Sequence, residues 1–262
     1  MKKKNFWKRC LMFDLICICL VSGIIFSGVG KGKKIKQELI SVIQMQESKK
    51  ETSAQSQGDT SDTEDETAKE LSENESKEKK KIALTFDDGP NEKYTPEMLN
   101  ALKERNVKAT FFLLGEEVEK YPEIVKQIYE EGHLIGNHSY KHEQLSKLSM
   151  EQACNQVNRT NELIHNITGI YPAYLRPPFG DWHEQLDCEM NMVEVLWDVD
   201  TLDWSSQNHA KIVNKVLKNI QENDIILMHD GYETSVTAAV EIIDTLQKQG
   251  YEFVTVDEIL FE

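Results

Sequence analysis

Residues 82–90 read Ile-Ala-Leu-Thr-Phe-Asp-Asp-Gly-Pro, a short and mostly apolar run that ends in two adjacent carboxylates. A run of this length, closed by Gly-Pro, predicts a buried strand followed by a turn. Asp87 and Asp88 would then lie at the carboxyl end of that strand. Two like charges so close together need a metal ion or a cationic side chain nearby. Asp-Asp-Gly-Pro is also good turn chemistry, so this stretch alone leaves a solvated turn as the alternative.

Ahead of this strand, residues 1–30 combine a basic flank with an apolar run. Lys2, Lys8 and Arg9 belong to the flank, and the apolar run covers residues 10–29. About 20 apolar residues suffice to cross a bilayer as a helix, and the basic flank should stay in the cytoplasm. The sequence therefore predicts a single-pass membrane anchor with the C-terminal part outside the cell. A cleaved signal peptide, and hence a secreted protein, is the alternative.

Residues 31–79 are predicted to form a disordered polar and acidic linker. After Glu47 this segment is almost entirely Ser, Thr, Gln, Lys, Asp and Glu, so it cannot bury enough surface to offset its chain entropy. The whole chain of 262 residues has a formal net charge of -15. Because no Lys/Arg-rich face appears in the part that should fold, nucleic acid is not an expected partner.

From residue 80 to residue 262, strand-like and helix-like patterns alternate. Ser149 and Gln152 form a capping-box pattern at the start of one predicted helix. The alternation predicts an α/β domain with a mainly parallel sheet, in which chemistry gathers at the carboxyl ends of the strands. Seven runs are predicted as strands: 82–86, 109–114, 133–136, 171–175, 193–197, 225–228 and 251–256.

Two histidines follow the third predicted strand. His138 and His142 are four residues apart, which would place both on one face of a helical turn and let both imidazoles reach one metal ion. A carboxylate from the end of the first strand would complete a set that suits zinc or a related divalent metal. Two solvent-facing histidines beside Lys141 are the alternative, since a histidine pair at this spacing is a weak signal on its own.

Three later strand ends carry further candidates. Arg176 precedes two prolines that stiffen its loop, so it could neutralise one carboxylate by a bidentate contact. Asp203 precedes Trp204, a pair that can orient a histidine and wall a sugar site. His229 emerges from a fully apolar strand, where it could donate or accept a proton. Each has an ordinary alternative, namely a surface charge, a turn and a partly buried core histidine.

In this order, the motifs resemble those of polysaccharide deacetylases of carbohydrate esterase family 4. The resemblance covers about residues 80–262, and it implies a distorted (β/α)7 barrel preceded here by the transmembrane segment and disordered linker. It also implies metal-dependent removal of N-acetyl groups from N-acetylglucosamine-type polymers such as chitin or peptidoglycan. The outward topology favours peptidoglycan. The motifs are Thr85-Phe86-Asp87-Asp88-Gly89-Pro90, His138-Ser139-Tyr140-Lys141-His142, Arg176-Pro177-Pro178-Phe179-Gly180, Asp203-Trp204 and Leu227-Met228-His229.

The resemblance implies a metal site and two proton carriers. Asp87 would be the general base, held by Arg176, and His229 the general acid, tuned by Asp203. The metal would be Zn2+, with Co2+, Mn2+ or Ni2+ as alternatives. The implied metal ligands are Asp88, His138 and His142.

The resemblance also implies the residues that contact substrate. Trp204 and Leu227 would line the acetyl pocket, and the backbone N–H of Phe179 would help bind the oxyanion. Tyr is common in the family at the position of Phe179, so this chain keeps the N–H but lacks a hydroxyl there.

Two other functions fit part of the pattern. The same site could hydrolyse O-acetyl esters, as on a xylan-like polymer, and analysis of the acetate released from each polymer would separate the two activities. A non-catalytic wall-binding module would lack metal ligands or proton carriers, and none is missing from this sequence.

Overall fold

The computed structural model describes residues 79–181 and 191–261. The predicted anchor at 1–30 and all of the predicted linker except its last residue lie outside these ranges. Within the described ranges, no helix has the length and apolar character needed to span a membrane.

A parallel sheet of eight short strands lies at the centre of the described domain. The strands are β1 (Lys80–Asp87), β2 (Thr110–Leu113), β3 (Leu134–Asn137), β4 (Tyr174–Leu175), β5 (Val193–Glu194), β6 (Val199–Asp200), β7 (Ile225–His229) and β8 (Tyr251–Val254). Their order across the sheet is β5-β4-β3-β2-β1-β7-β6, and β8 pairs with the first half of β1. The sheet curls into a half-barrel that is consistent with a distorted (β/α)7 fold.

Helices connect most of these strands. They are α1 (Tyr94–Glu104), α2 (Gly115–Lys120), α3 (Pro122–Glu130), α4 (Met150–Thr168), α5 (Asp203–Ser206), α6 (His209–Asn219), α7 (Glu233–Lys248) and α8 (Val256–Leu260), with 3-10 turns at Leu145–Lys147 and Pro178–Gly180. The predicted capping box opens α4, where Ser149 Oγ accepts from Gln152 N and Gln152 Oε1 accepts from Ser149 N. This reciprocal pair satisfies two backbone donors that the first helical turn leaves without partners.

The core explains why β1 and β7 were recognisable from sequence. Both strands are buried almost throughout, since neighbouring strands flank them and helices cover the sheet. Such strands have continuous apolar runs rather than alternating ones. Phe86 of β1 stacks on Phe111 of β2 with 5.1 Å between ring centroids. Met98 and Leu102 of α1, with Ile242 of α7, belong to the same buried cluster.

The predicted strand at 193–197 is confirmed only in its first two residues, which form β5. A further short strand that was not predicted, β6, begins at Val199, so the sheet has eight strands instead of seven. The carbonyl oxygens of Val195 and Leu196 accept hydrogen bonds from the Arg176 guanidinium, each at 3.1 Å. Because these carbonyls bond a side chain and not a neighbouring strand, the strand ladder stops there.

Candidate active site

The carboxyl ends of four strands bring the predicted site residues together. Asp87 at the end of β1 and His229 at the end of β7 are partners in the parallel register. β3 and β4 pair at their ends, so His138 and Arg176 follow side by side. The backbone N–H of Arg176 donates to Asn137 O at 3.0 Å, which fixes the starts of the loops after β3 and β4 relative to one another.

Asp88, His138 and His142 each offer a ligand atom, and these atoms lie within 4.8 Å of one another. Asp88 Oδ1 lies 3.4 Å from His138 Nε2 and 3.5 Å from His142 Nε2. Tetrahedral zinc, with bonds of about 2.0–2.2 Å, separates its ligand atoms by roughly 3.3–3.5 Å. The two spacings therefore fit a single divalent cation. His138 is buried whereas Asp88 is exposed, so one side of this cluster faces solvent.

The tautomer of His138 is set by the backbone. His138 Nδ1 lies 2.7 Å from the carbonyl oxygen of Arg176. A carbonyl only accepts, so Nδ1 carries the proton and Nε2 is left as a lone-pair donor toward the cluster.

The loop between the two histidines is not the helical turn that the spacing predicts. Ser139 and His142 have φ of 70° and 57°, so the chain is irregular here. Gln156 Oε1, on α4, accepts from the N–H groups of Tyr140 and Lys141 at 3.1 and 2.9 Å. Ser139 Oγ accepts from His142 N at 3.1 Å. These hydrogen bonds, two of them to Gln156 outside the segment, therefore hold the loop in the shape that brings the two imidazoles to one point.

Asp87 and Arg176 form a buried ion pair. Arg176 Nη1 donates to Asp87 Oδ1 and to Thr85 Oγ1, each at 2.7 Å. The remaining guanidinium nitrogens donate to the carbonyls of Val195 and Leu196. The predicted bidentate contact is thus a single one, because the other donors satisfy backbone oxygens. A buried charge is tolerated when its hydrogen bonds are satisfied in this way.

His229 and Asp203 form a second pair. His229 donates through Nδ1 and through its backbone N–H to the two oxygens of Asp203, both at 2.8 Å. Burial alone would lower the pKa of His229, but the hydrogen bond and charge of Asp203, with the charges of Asp87 and Asp88, raise it to about 9. Burial would raise the pKa of Asp203, but its hydrogen bond and charge interaction with His229 lower it. The pair therefore favours a protonated imidazole next to an ionised carboxylate.

The predicted substrate-contacting residues adjoin these groups. Phe179 is 66% exposed, and its ring packs edge-on against His142 with 4.6 Å between centroids. Trp204 is 51% exposed, and its backbone N–H donates to Asp203 Oδ1 at 2.9 Å. Leu227 lies two residues before His229 on β7, so both side chains emerge on the same face of the sheet. Their roles toward a substrate stay predictions.

Two hydroxyl residues of the site were not predicted from the sequence. Thr85 contacts Arg176. Because side chains two residues apart on a strand point to the same face, the position of Thr85 relative to Asp87 could have indicated that it lies in the site. Ser235 Oγ donates to Asp203 Oδ2 at 2.6 Å from α7. No local pattern connects Ser235 with Asp203, because they are distant in sequence.

Asp230 is a third residue that the sequence did not single out. It is 1% exposed, and its Oδ2 accepts from Thr95 Oγ1 at 2.5 Å. A Cβ at Gly89 would lie 2.8 Å from Asp230 Oδ1, so the turn after Asp88 needs glycine for this close approach. Burial raises the pKa of Asp230 to about 7. Its position directly after His229 was the signal that could have found it.

Residues 74–194 match the family described as polysaccharide deacetylase. A peptidoglycan-N-acetylglucosamine deacetylase of Bacillus cereus is 46% identical over 184 residues, which cover 68% of this chain and 67% of the relative. The chain therefore belongs to the polysaccharide deacetylases of carbohydrate esterase family 4.

Two longer relatives share the same region. The peptidoglycan-N-acetylglucosamine deacetylase PgdA of Listeria monocytogenes is 43% identical over 71% of this chain and 40% of its own length. The peptidoglycan-N-acetylmuramic acid deacetylase PdaC of Bacillus subtilis is 44% identical over 69% of this chain and 38% of its own length. A solved structure of PdaC superposes with a TM-score of 0.68 at 44% identity, covering 70% of this chain and 90% of that one. The chain thus spans well under half the length of these two relatives.

Proposed function

We propose that this chain is a metal-dependent deacetylase that removes N-acetyl groups from N-acetylglucosamine-type residues of a cell-wall polysaccharide, namely peptidoglycan. The observation that carries the proposal is that two acid–base pairs, one buried and one partly buried, lie beside one cluster of side chains that could bind a metal ion. The pairs are Asp87 with Arg176 and His229 with Asp203. The names of the three relatives, all peptidoglycan deacetylases, support the choice of polymer.

Asp88, His138 and His142 are the proposed ligands of one divalent ion. Two imidazole nitrogens and one carboxylate oxygen suit Zn2+ with an open position, and Co2+, Mn2+ and Ni2+ are the alternatives. When bound, such an ion polarises the amide carbonyl and lowers the pKa of a water molecule. The exposed side of the cluster, at Asp88, leaves room for water and substrate.

The two pairs supply the proton transfers. Arg176 occupies Asp87 Oδ1, so Oδ2 is the atom left to accept a proton from the water that attacks the acetyl carbon. His229 Nε2 then donates its proton to the amide nitrogen as the carbon–nitrogen bond breaks, which releases acetate and a free amine. The Phe179 N–H is the proposed donor to the oxyanion that develops on the carbonyl oxygen.

The test is mass spectrometry after incubation of the metal-loaded, full-length chain with three polymers. These are peptidoglycan fragments, N-acetylglucosamine oligomers and O-acetylated xylan, and a His142→Ala variant is the control. We expect loss of acetyl groups from the peptidoglycan fragments. The N-acetylglucosamine oligomers should also lose them if recognition requires only the sugar. Acetate released from xylan alone would favour the ester hydrolase. No acetate from any polymer would favour the non-catalytic wall-binding module.

The catalytic domain is proposed to act outside the cell. The supporting observations are the apolar run at 10–29, the basic flank before it and the polar linker after it. An uncleaved anchor would keep the domain at the membrane while the linker lets it reach the wall.

A further inference from the structure

One carboxylate joins the loop that carries His142 to the loop that carries Phe179. Asp181 Oδ2 accepts hydrogen bonds from Gln144 Nε2 and from Ser146 Oγ. Gln144 lies two residues after His142, and Asp181 lies two residues after Phe179. We call Asp181, Gln144 and Ser146 the loop clamp.

The two loops also touch at the candidate site, where the ring of Phe179 packs against His142. Phe179 has φ of 62°, a left-handed conformation that is unfavourable for a residue with a side chain. Its ring is mostly exposed, so core packing does not hold it there. Pro177 and Pro178 stiffen the chain before Phe179. Asp181 ties the end of the same turn to the neighbouring loop.

The charge state of Asp181 suits this contact. Hydrogen bonds from Ser146 and then Gln144 lower the pKa of Asp181, while burial opposes them and the charge of Lys147 adds to them. The carboxylate is therefore ionised at neutral pH, and its oxygens act only as acceptors.

We propose that Asp181 is a positioning residue that holds the His142 imidazole and the Phe179 backbone N–H in one fixed arrangement. The two groups belong to separate loops, one after β3 and one after β4. The starts of the loops stay joined by the bond from the Arg176 N–H to Asn137 O. Without the clamp, the parts beyond lose two of the contacts between them, and His142 spends less time where it can share a cation with Asp88 and His138. Partners that hydrogen-bond a metal ligand directly commonly change metal affinity by about 10–100-fold, and the loop clamp acts one contact further out, so we expect a change at the lower end of that range.

The first test compares Asp181→Ala with Asp181→Asn in the full-length chain. The alanine variant loses both hydrogen bonds, whereas asparagine keeps a carbonyl oxygen that can accept both while removing the charge. Titration of Zn2+ against a chelating dye should show affinity about ten-fold weaker for Asp181→Ala and nearly unchanged for Asp181→Asn. Unchanged affinity in the alanine variant would overturn the proposal. So would an asparagine variant as weak as the alanine one.

The second test removes the donors instead. A Gln144→Ala, Ser146→Ala variant should weaken Zn2+ binding as Asp181→Ala does, and circular dichroism should show that each variant is folded. This variant also carries the test if Asp181→Ala does not fold. Combining all three substitutions should weaken Zn2+ binding no further, because the effects of substitutions that remove the same contact do not add. Full additivity would mean that the residues act separately and would overturn the clamp.

The third test measures turnover at saturating Zn2+ and rests on the proposed deacetylase function. The Phe179 N–H is proposed to contact the oxyanion in the transition state, so Asp181→Ala should lower kcat about ten-fold with little change in KM, and Asp181→Asn should restore it. A raised KM at unchanged kcat would contradict the positioning role. If the wild-type chain binds Zn2+ but deacetylates neither peptidoglycan nor the oligomers, the proposed function fails. The Zn2+ titration still decides the clamp in that case.

Discussion

Arg176 is fully buried, and its charge is tolerated because Asp87, Thr85 and two backbone carbonyls take up its donors. Arg176→Met would leave the Asp87 carboxylate buried without its cation. We expect a loss of about 3–5 kcal/mol in the free energy of unfolding, measured by urea denaturation.

The matched control for this change is Arg105→Met. Arg105 pairs with Asp244 at 2.7 Å, but the Asp244 side chain is 43% exposed. An exposed pair contributes about 0–1 kcal/mol. Similar losses from the two variants would show that the burial of the Asp87 pair is not what makes Arg176 important.

His142, a proposed metal ligand, gives a second prediction at the residue scale. His142→Ala should lose stoichiometric zinc and activity together, while the domain stays folded because the imidazole lies outside the hydrophobic core. Metal content by atomic emission, activity and circular dichroism measure the three effects. His209→Ala is the control, since His209 pairs with Glu241 on a half-exposed surface and should change none of them. Full zinc content in purified His142→Ala would reject the ligand assignment.

The pH profile follows from His229. A general acid must be protonated, and its raised pKa of about 9 keeps His229 charged at neutral pH. Activity should therefore fall as the pH rises through the pKa of His229. Asp203→Asn removes the charge that raises this pKa, so the alkaline limb of kcat/KM should move to lower pH by about one to three units.

Asp200→Asn is the control for that shift, because Asp200 accepts from the Leu202 N–H in the preceding turn and not from His229. His229→Ala should lower kcat by about two to four orders of magnitude. An Asp203→Asn enzyme with an unmoved alkaline limb would argue against the pairing. A near wild-type kcat in His229→Ala would remove His229 as the acid.

At the scale of elements, α4 supports the loop at residues 138–142, which carries the two proposed histidine ligands, through Gln156. Gln156→Ala would remove the acceptor of two N–H groups in that loop, so zinc affinity should fall about ten-fold or more, measured by dye competition. Gln152→Ala on the same helix is the control, since Gln152 contacts the helix start at Ser149. Losing this one hydrogen bond should lower the free energy of unfolding by about 0.5–1.5 kcal/mol but leave zinc affinity unchanged. Equal zinc losses would point to α4 as a whole and not to Gln156.

The elements that the sequence predicts well are those specified by local patterns. β1 and β7 have continuous apolar runs, and the α4 capping box lies within four consecutive residues. The elements it misses are set by distant groups. The loop after His138 takes its shape partly from Gln156, and Arg176 interrupts the strand at 193–197 by bonding its carbonyls. Where a distant side chain, and not a neighbouring strand or helical turn, is the hydrogen-bond partner of the backbone, the local sequence shows no hydrophobic periodicity that would reveal it.

At the scale of the whole domain, the parallel register explains why residues far apart in sequence could be grouped. Asp87 and His229 end strands that lie side by side, so a motif at each strand end predicts a shared site. Ser235 and Asp181 were not predicted, because their contacts depend on how a helix and a loop pack after the sheet has formed. The ordered motifs therefore predicted the residues expected to react and their partners Arg176 and Asp203, but not the outer contacts made by Ser235 and Asp181.

The N-terminal prediction concerns the whole molecule. If residues 10–29 form an uncleaved anchor, the full-length chain should stay with membranes after a high-salt wash, because burial of apolar side chains does not depend on ionic strength. Protease added outside the cell should then cut within residues 31–79. Leu20→Lys with Ile24→Lys is the matched control, since each charge near the helix centre opposes insertion by about 2.5–3.5 kcal/mol, and this variant should leave the membrane fraction. Recovery from the medium of a mature chain that begins near Lys31 would instead establish a cleaved signal peptide.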